Sequence, residues 1–193
     1  EFKSLAVQNV KGLVSVVAHY EHETKSSLIT LDQNISLERW YEVNGKPTTS
    51  FTSGDLVKVY LKPTFSASAH EGGYEIIDYL PSGLRLVSEP GRMALNEESA
   101  SFDELNNSEK KKTKGILEYP VNEEDQKITF SKWHYRTTGD PRDMEWMSNN
   151  NEPFYYVARV VSKGTYSADQ ALMQSTKTRE STALSSNAIV TIK

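Results

Sequence analysis

The sequence predicts an all-β chain folded as an antiparallel β-sandwich, and three observations carry that expectation. Short runs of alternating apolar and polar residues recur along it, at the two-residue period of strands half buried against a core. Turn residues separate the runs: Asn44-Gly45, Ser53-Gly54-Asp55 and Gly72-Gly73. Apolar spacing at i, i+3, i+4 is sustained nowhere, and residues 168–175 are too short and too uncharged on their outer face to be read as a helix.

Taken in order, residues 13–18 follow Gly12 as a β-branched-rich run with Val14, Val16 and Ala18 on one face. Then Ile35, Leu37, Arg39 and Tyr41 face one way, while Ser36, Glu38, Trp40 and Glu42 face the other. Asn44-Gly45, the dipeptide best able to take positive φ, ends that run in a tight turn. The Gly54-Asp55 turn launches residues 56–61, where Val57, Val59 and Leu61 alternate with Lys58 and Tyr60. Pro63 cannot donate to a ladder and is expected to stop the pairing. Residues 74–80 follow the Gly72-Gly73 pair, and further strands are expected at 127–135, 154–162 and 188–193. Between 89 and 126 the pattern fails. That stretch holds Asn96-Glu97-Glu98, Asp103-Glu104 and Asn106-Asn107, then Lys110, Lys111, Lys112 and Lys114. It reads as a long solvated insertion with one rung hidden near 115–119.

Composition bounds the rest. A chain of 193 residues with 37% hydrophobic content can bury a core. It reads as one sandwich domain over 1–193, with residues 1–30 either opening it or lending a strand to a preceding domain. A mean hydropathy of −0.58 and the lack of a long uncharged apolar run argue against a transmembrane helix. Twenty-two Lys and Arg against 26 Asp and Glu leave a net charge of −4, the wrong sign for a partner of nucleic-acid phosphates. Cysteine is absent, which removes disulfides, thiolate metal sites and cysteine nucleophiles together. The opening Glu1-Phe2 carries no signal peptide, so the chain reads as a piece of a longer protein.

A search for chemistry finds little. His19 and His22 are three apart and fall on opposite faces of a strand, and His70 and His134 are isolated. All four are expected to be exposed histidines of strands or loops. Asp140, Asp143 and Glu145 surround Pro141 without the alternating oxygens and central Gly of a calcium loop. No Gly-x-Ser-x-Gly elbow and no phosphate-binding Gly loop is present. The lysine cluster at 110–114 suits a soluble loop better than contact with an acidic partner or anionic lipid. Trp40, Tyr41, Trp133, Tyr135, Trp146, Tyr155 and Tyr156 suit a sandwich core and cross-strand pairs better than a sugar-stacking platform. Asp78, just before Leu80-Pro81-Ser82-Gly83, is expected to be structural, its carboxylate accepting backbone N–H bonds of that turn. No cofactor, metal or catalytic residue is expected.

The order of segments resembles a known family. Ile35 to Gly45 forms an arginine-aromatic strand around Arg39 and Trp40-Tyr41, followed by Gly54-Asp55-Leu56-Val57-Lys58-Val59. Asp78-Tyr79-Leu80-Pro81-Ser82-Gly83-Leu84 comes next, then Tyr156-Val157-Ala158-Arg159-Val160, Gly164-Thr165-Tyr166, Met173 and Thr178-Arg179. This succession is similar to the final macroglobulin-like domain of bacterial α2-macroglobulins. Two places depart from the pattern. Ser82 stands where the family has alanine, and Glu124-Asp125-Gln126-Lys127 stands for its Asp-Asp-Arg.

The resemblance implies an immunoglobulin- or macroglobulin-like sandwich with Arg39, Gly54, Asp55, Asp78, Leu80, Pro81, Gly83, Arg159, Gly164 and Tyr166 as structural motif residues. It also implies a non-catalytic C-terminal domain of a surface or secreted protease trap. Its partners would be other domains of the same polypeptide, with proteases met only through the full-length protein. The family's bait segment and Cys-Gln thioester would lie outside this chain, which has no cysteine. The rival reading is an immunoglobulin-like spacer or carbohydrate-binding module of a cell-surface adhesin. A hydrolase is the weakest reading, because no nucleophile and base can be paired.

Overall fold

The computed structural model describes residues 28–90, 115–135 and 151–193, together with residues 9, 11–13, 15 and 17. Every element of the described chain is a strand: β1 (Ile35–Val43), β2 (Lys46–Pro47), β3 (Ser50–Phe51), β4 (Leu56–Phe65), β5 (Gly72–Tyr79), β6 (Leu84–Leu86), β7 (Ile116–Leu117), β8 (Asn122–Glu124), β9 (Lys127–His134), β10 (Phe154–Val160), β11 (Gly164–Ala168), β12 (Leu172–Ser175), β13 (Thr182–Leu184) and β14 (Ala188–Ile192). A six-stranded sheet runs β2-β1-β4-β10-β6 with β7 also on β10, and a five-stranded sheet runs β13-β12-β5-β9-β8. A three-stranded sheet, β11-β14-β3, completes the fold. Pairing is antiparallel except at β7 on β10 and β3 on β14.

Alternation sets the layers. Ile35, Leu37 and Tyr41 of β1 turn inward, and so do Val57, Val59 and Leu61 of β4, while Ser36 and Glu38 turn out. Phe130 of β9 packs on Phe154 and Tyr156 of β10 at centroid distances of 5.1 and 5.4 Å, joining the five- and six-stranded sheets. Tyr41 meets Phe51 of β3 at 5.9 Å, bringing the three-stranded sheet into the same core. The Asn44-Gly45 turn is a two-residue hairpin, Val43 pairing with Lys46, with φ of 51° and 70° at its centre. Two consecutive positive φ values are what a type I′ turn requires.

The structure corrects several expectations. β4 does not stop at Pro63; it continues to Phe65, with Pro63 opposite Leu37. N–H groups alternate sides along a strand, so position 63 would donate on the same side as Phe65. On that side β10 has already ended, at Phe154 opposite Leu61, and the Phe65 amide donates instead to the Asn151 side chain at 2.9 Å. The proline thus costs no ladder bond. The run at 13–18 is not a strand where it is described: Leu13 and Val17 stand exposed. Apolar alternation makes a strand only beside a partner, and no described strand pairs with it. Val14, Val16 and Ala18 lie outside the described residues. His134 is buried rather than exposed, its ring 4.7 Å from that of Phe65 and within 7° of parallel. Residues 91–114 of the long insertion lie outside the described residues. Its remainder holds two rungs rather than one, β7 on β10 and β8 on β9.

Candidate functional site

Period two places Arg39 on the inner face of β1, between Leu37 and Tyr41. A guanidinium there must find a counter-charge, because burying an unpaired ion is prohibitive. Asp78, on the inner face of β5, supplies it. Arg39 Nη1 lies 2.6 Å from Asp78 Oδ1, and each side chain is 1% exposed. Arg39 Nη2 donates to the Ala168 carbonyl of β11 at 2.9 Å, and the guanidinium sits 5.6 Å from the Tyr41 ring. The second carboxylate oxygen of Asp78 accepts the Tyr156 hydroxyl of β10 at 2.8 Å. One four-residue cluster therefore touches all three sheets.

Electrostatics follow from burial. Burial pushes the Asp78 carboxyl up, opposed by Arg39, by the Tyr156 hydroxyl and by the Tyr79 amide. Burial pulls Arg39 down, but Asp78, Tyr41 and Tyr156 together hold it above its ordinary value. The Tyr156 hydroxyl is raised by burial and then by the adjacent carboxylate, and burial raises Tyr41 as well. Asp78 is buried with both oxygens engaged, so its carboxylate is not presented to solvent. Among the described residues, one surface hollow is lined by Glu38, Trp40, Lys62, Asn151, Glu152 and Pro153, and another by His70, Glu71, Lys177 and Thr178. Neither is lined by a member of the cluster.

The turn residues do mechanical work. Gly54 takes φ of 89°, and Asp55 closes the turn: its amide donates to the Thr52 carbonyl at 3.0 Å and its carboxylate accepts the Thr52 amide at 2.7 Å. Leu80 and Pro81 are buried, the Leu80 amide donates to the Gln126 carbonyl, and the Pro81 carbonyl accepts the Leu84 amide at 2.8 Å. Gly83 leaves no room for a side chain: a Cβ there would lie 2.5 Å from both Ile192 and the Tyr166 ring. Tyr166 in turn donates its hydroxyl to the Lys163 carbonyl at 2.8 Å and covers Gly164. Gly83, Gly164 and Tyr166 thus interlock where the Leu80–Gly83 turn meets β11. Arg159 is separate, exposed on the outer face of β10.

Asp78 therefore works mainly through two side chains of the six-stranded sheet, Arg39 and Tyr156, and not through the amides of the Leu80–Gly83 turn. Tyr156 was legible as an inward aromatic but not as the Asp78 partner; the signal was its inward position, since a buried tyrosine hydroxyl needs an acceptor. A second polar link went unread. Ser181 donates to Asp32 Oδ2 at 2.6 Å and lies 3.3 Å from the Tyr74 hydroxyl, pinning the chain before β1 to the β12–β13 hairpin. His70 is exposed, and its carbonyl accepts the Tyr74 hydroxyl at 2.9 Å. The aromatics divide. Tyr41 and Tyr156 are core, and Trp40 stacks on Tyr60 at 4.9 Å, with Tyr155 5.1 Å beyond. Trp133 and Tyr135 stack on each other in the open, each 55% exposed. His19, His22, Asp140, Asp143, Glu145, Trp146 and the lysines at 110–114 lie outside the described residues. Among the described residues, no three His, Asp or Glu converge to hold a metal ion.

No family model and no curated protein matches the sequence. Solved structures do resemble the fold. Native α2-macroglobulin from Escherichia coli, crystallised from domain MG7 to the C-terminus, aligns with a TM-score of 0.57 at 20% identity, over 83% of this chain and 24% of that one. The native conformation of E. coli α2-macroglobulin gives a TM-score of 0.60 at 19% identity, over 89% of this chain and 10% of that one. Salmonella α2-macroglobulin reacted with methylamine gives 0.51 at 20% identity, over 83% and 9%. The chain spans about a quarter of the first structure's length and a tenth of the second's. By fold, this chain is an all-β domain of the kind found in the C-terminal region of bacterial α2-macroglobulins.

Proposed function

We propose that the chain is a non-catalytic domain of a surface or secreted bacterial α2-macroglobulin-like protein, packing against other domains of the same polypeptide, with protease trapping a property of the whole. The observation that carries this reading is the fold shared with the C-terminal region of those proteins over more than four-fifths of the chain. The Arg39–Asp78–Tyr156 cluster supports it, because the most buried charges are consumed in holding sheets together. A lone sandwich could block a protease only by presenting a rigid loop in an interface of roughly 1,200–2,000 Å². The test compares the full-length polypeptide with this chain alone, each titrated into trypsin. The reading expects the full-length protein to shield trypsin from a large protein substrate while a small chromogenic peptide is still cleaved, and this chain alone to do neither. Stoichiometric inhibition by this chain alone, or no shielding by the full-length protein, would overturn it.

One observation favours the carbohydrate-binding alternative: the exposed, near-parallel Trp133 and Tyr135 rings. Affinity electrophoresis through gels containing bacterial polysaccharides would decide. Retardation abolished by Trp133→Ala would establish that reading in place of the docking domain.

A further inference from the structure

On the outer face of the six-stranded sheet, cross-strand charges oppose one another in every charged row but one. Lys62 of β4 lies opposite Glu38 of β1, 3.7 Å away, and Lys58 lies opposite Glu42. Beyond these, the ladder sets Arg159 of β10 directly opposite Arg85 of β6, and both are exposed. The third residue of that row is Leu56, which has no charge to offer. Like charges directly opposite on a sheet cost stability. Arg85 donates once, to the carbonyl of its neighbour Leu84 at 3.1 Å. Arg159 makes no hydrogen bond or ion pair among the described residues. Asp55, the chain neighbour of Leu56, is spent inside its own turn on the Thr52 amide.

We propose that the Arg85–Arg159 pair is a docking point for an acidic, extended peptide segment of a partner protein. Two guanidinium forks side by side suit carboxylates, which they meet with paired N–H bonds. Acidic residues two apart on an extended strand lie roughly 6.5–7 Å from each other, a spacing two cross-strand arginines can span. A free phosphate group fits less well. The β6 and β10 amides beneath the pair are engaged in the sheet, so no backbone nest is offered, and neither surface hollow is lined by these arginines. Val161, two residues past Arg159 and 44% exposed, adds apolar surface suited to a polypeptide. The chain's net charge of −4 repels an acidic partner overall, so the attraction is local and short-ranged. The proposal stands on this face alone and does not depend on the trap reading.

The test is fluorescence anisotropy with a labelled decapeptide of alternating Glu and Thr, at low ionic strength, against the whole 193-residue chain. Binding is expected, weakened by roughly fivefold or more in Arg85→Thr and in Arg159→Thr and by added salt, and unchanged in Lys62→Thr. Thermal melts run alongside, and Arg159→Thr is expected to keep or raise Tm, since it relieves a like-charge pair. Absence of peptide binding, unchanged affinity in the arginine variants, tighter binding of inorganic tripolyphosphate than of the peptide, or a lowered Tm in Arg159→Thr would each overturn the proposal.

Discussion

The Arg39 guanidinium and the Asp78 carboxylate meet 2.6 Å apart with both side chains 1% exposed, bridging β1 of one sheet and β5 of the other. Residues 39 apart in sequence are thereby held as one buried unit, and Tyr156 and the Ala168 carbonyl complete its shell. A buried pair of this kind contributes little net stability relative to apolar residues of the same volume. Its consequence is asymmetry: removing either partner strands the other charge inside the core.

The two inward tyrosines beside the pair should respond differently. Tyr156 donates to Asp78, whereas the Tyr41 hydroxyl is buried with no hydrogen-bond partner among the described residues. Tyr156→Phe leaves a carboxylate oxygen unsatisfied and should cost about 1–3 kcal/mol. Tyr41→Phe removes a desolvated group and should be neutral or stabilising. Urea unfolding of both variants measures the difference, and equal losses would contradict the geometry.

Alkali should reveal the same burial. The hydroxyls of Tyr41, Tyr74 and Tyr156 are all raised above the ordinary tyrosine value, with burial the leading cause. A group whose folded pKa lies above its unfolded value stabilises the fold below the unfolded pKa, and that contribution disappears as pH rises through the folded one. Ultraviolet titration should therefore show at least three of the ten tyrosines staying protonated past pH ~10 until the fold opens. Ten tyrosines ionising together in the folded protein would refute it.

Gly83 should not tolerate a methyl group. A Cβ at that position lies 2.5 Å from Ile192 Cδ1 and from the Tyr166 ring, and 3.0 Å from the Ser162 carbonyl. Gly83→Ala should cost about 1–3 kcal/mol by overpacking. Tyr166→Leu in the same chain should return part of that loss, since it removes one of the two closest neighbours. Additive effects of the two substitutions would argue against the interlock.

Acid should loosen the segment ahead of β1. The Asp32 carboxyl is held below its ordinary value, first by the Ser181 hydroxyl and then by the Asn34 amide. Its contribution is present above the unfolded pKa and fades as pH falls through the folded one, a window lying below pH ~4. Ser181→Ala should flatten the acid-side decline of Tm. An unchanged profile would show that the link carries no stability.

The parts legible in the sequence are those where alternation or an apolar run is long enough to be seen. β1, β4, β5, β9, β10 and β14 fall on runs of alternating or largely apolar residues and were expected. β8, with three exposed polar residues, and β2, a Lys-Pro pair, hold no periodicity; pairing to a neighbour defines them. β11 reads Gly-Thr-Tyr-Ser-Ala and becomes a strand through its register with β14. Of the polar centre, each half was visible and the join was not. Arg39 falls on the apolar face of its strand, which signals a partner, but nothing local names a residue 39 positions away. The Asp32–Ser181 link spans 149 positions and left no local trace at all.

The central claim is that the buried charges of this chain are structural, and a double-mutant cycle tests it most directly. Thermal and urea unfolding would be measured for Arg39→Met, Asp78→Leu and the double variant. The account predicts a loss of about 3–5 kcal/mol in each single variant, with the double variant clearly more stable than the sum of those losses implies. Single variants that melt like the original chain, or losses that simply add, would contradict it.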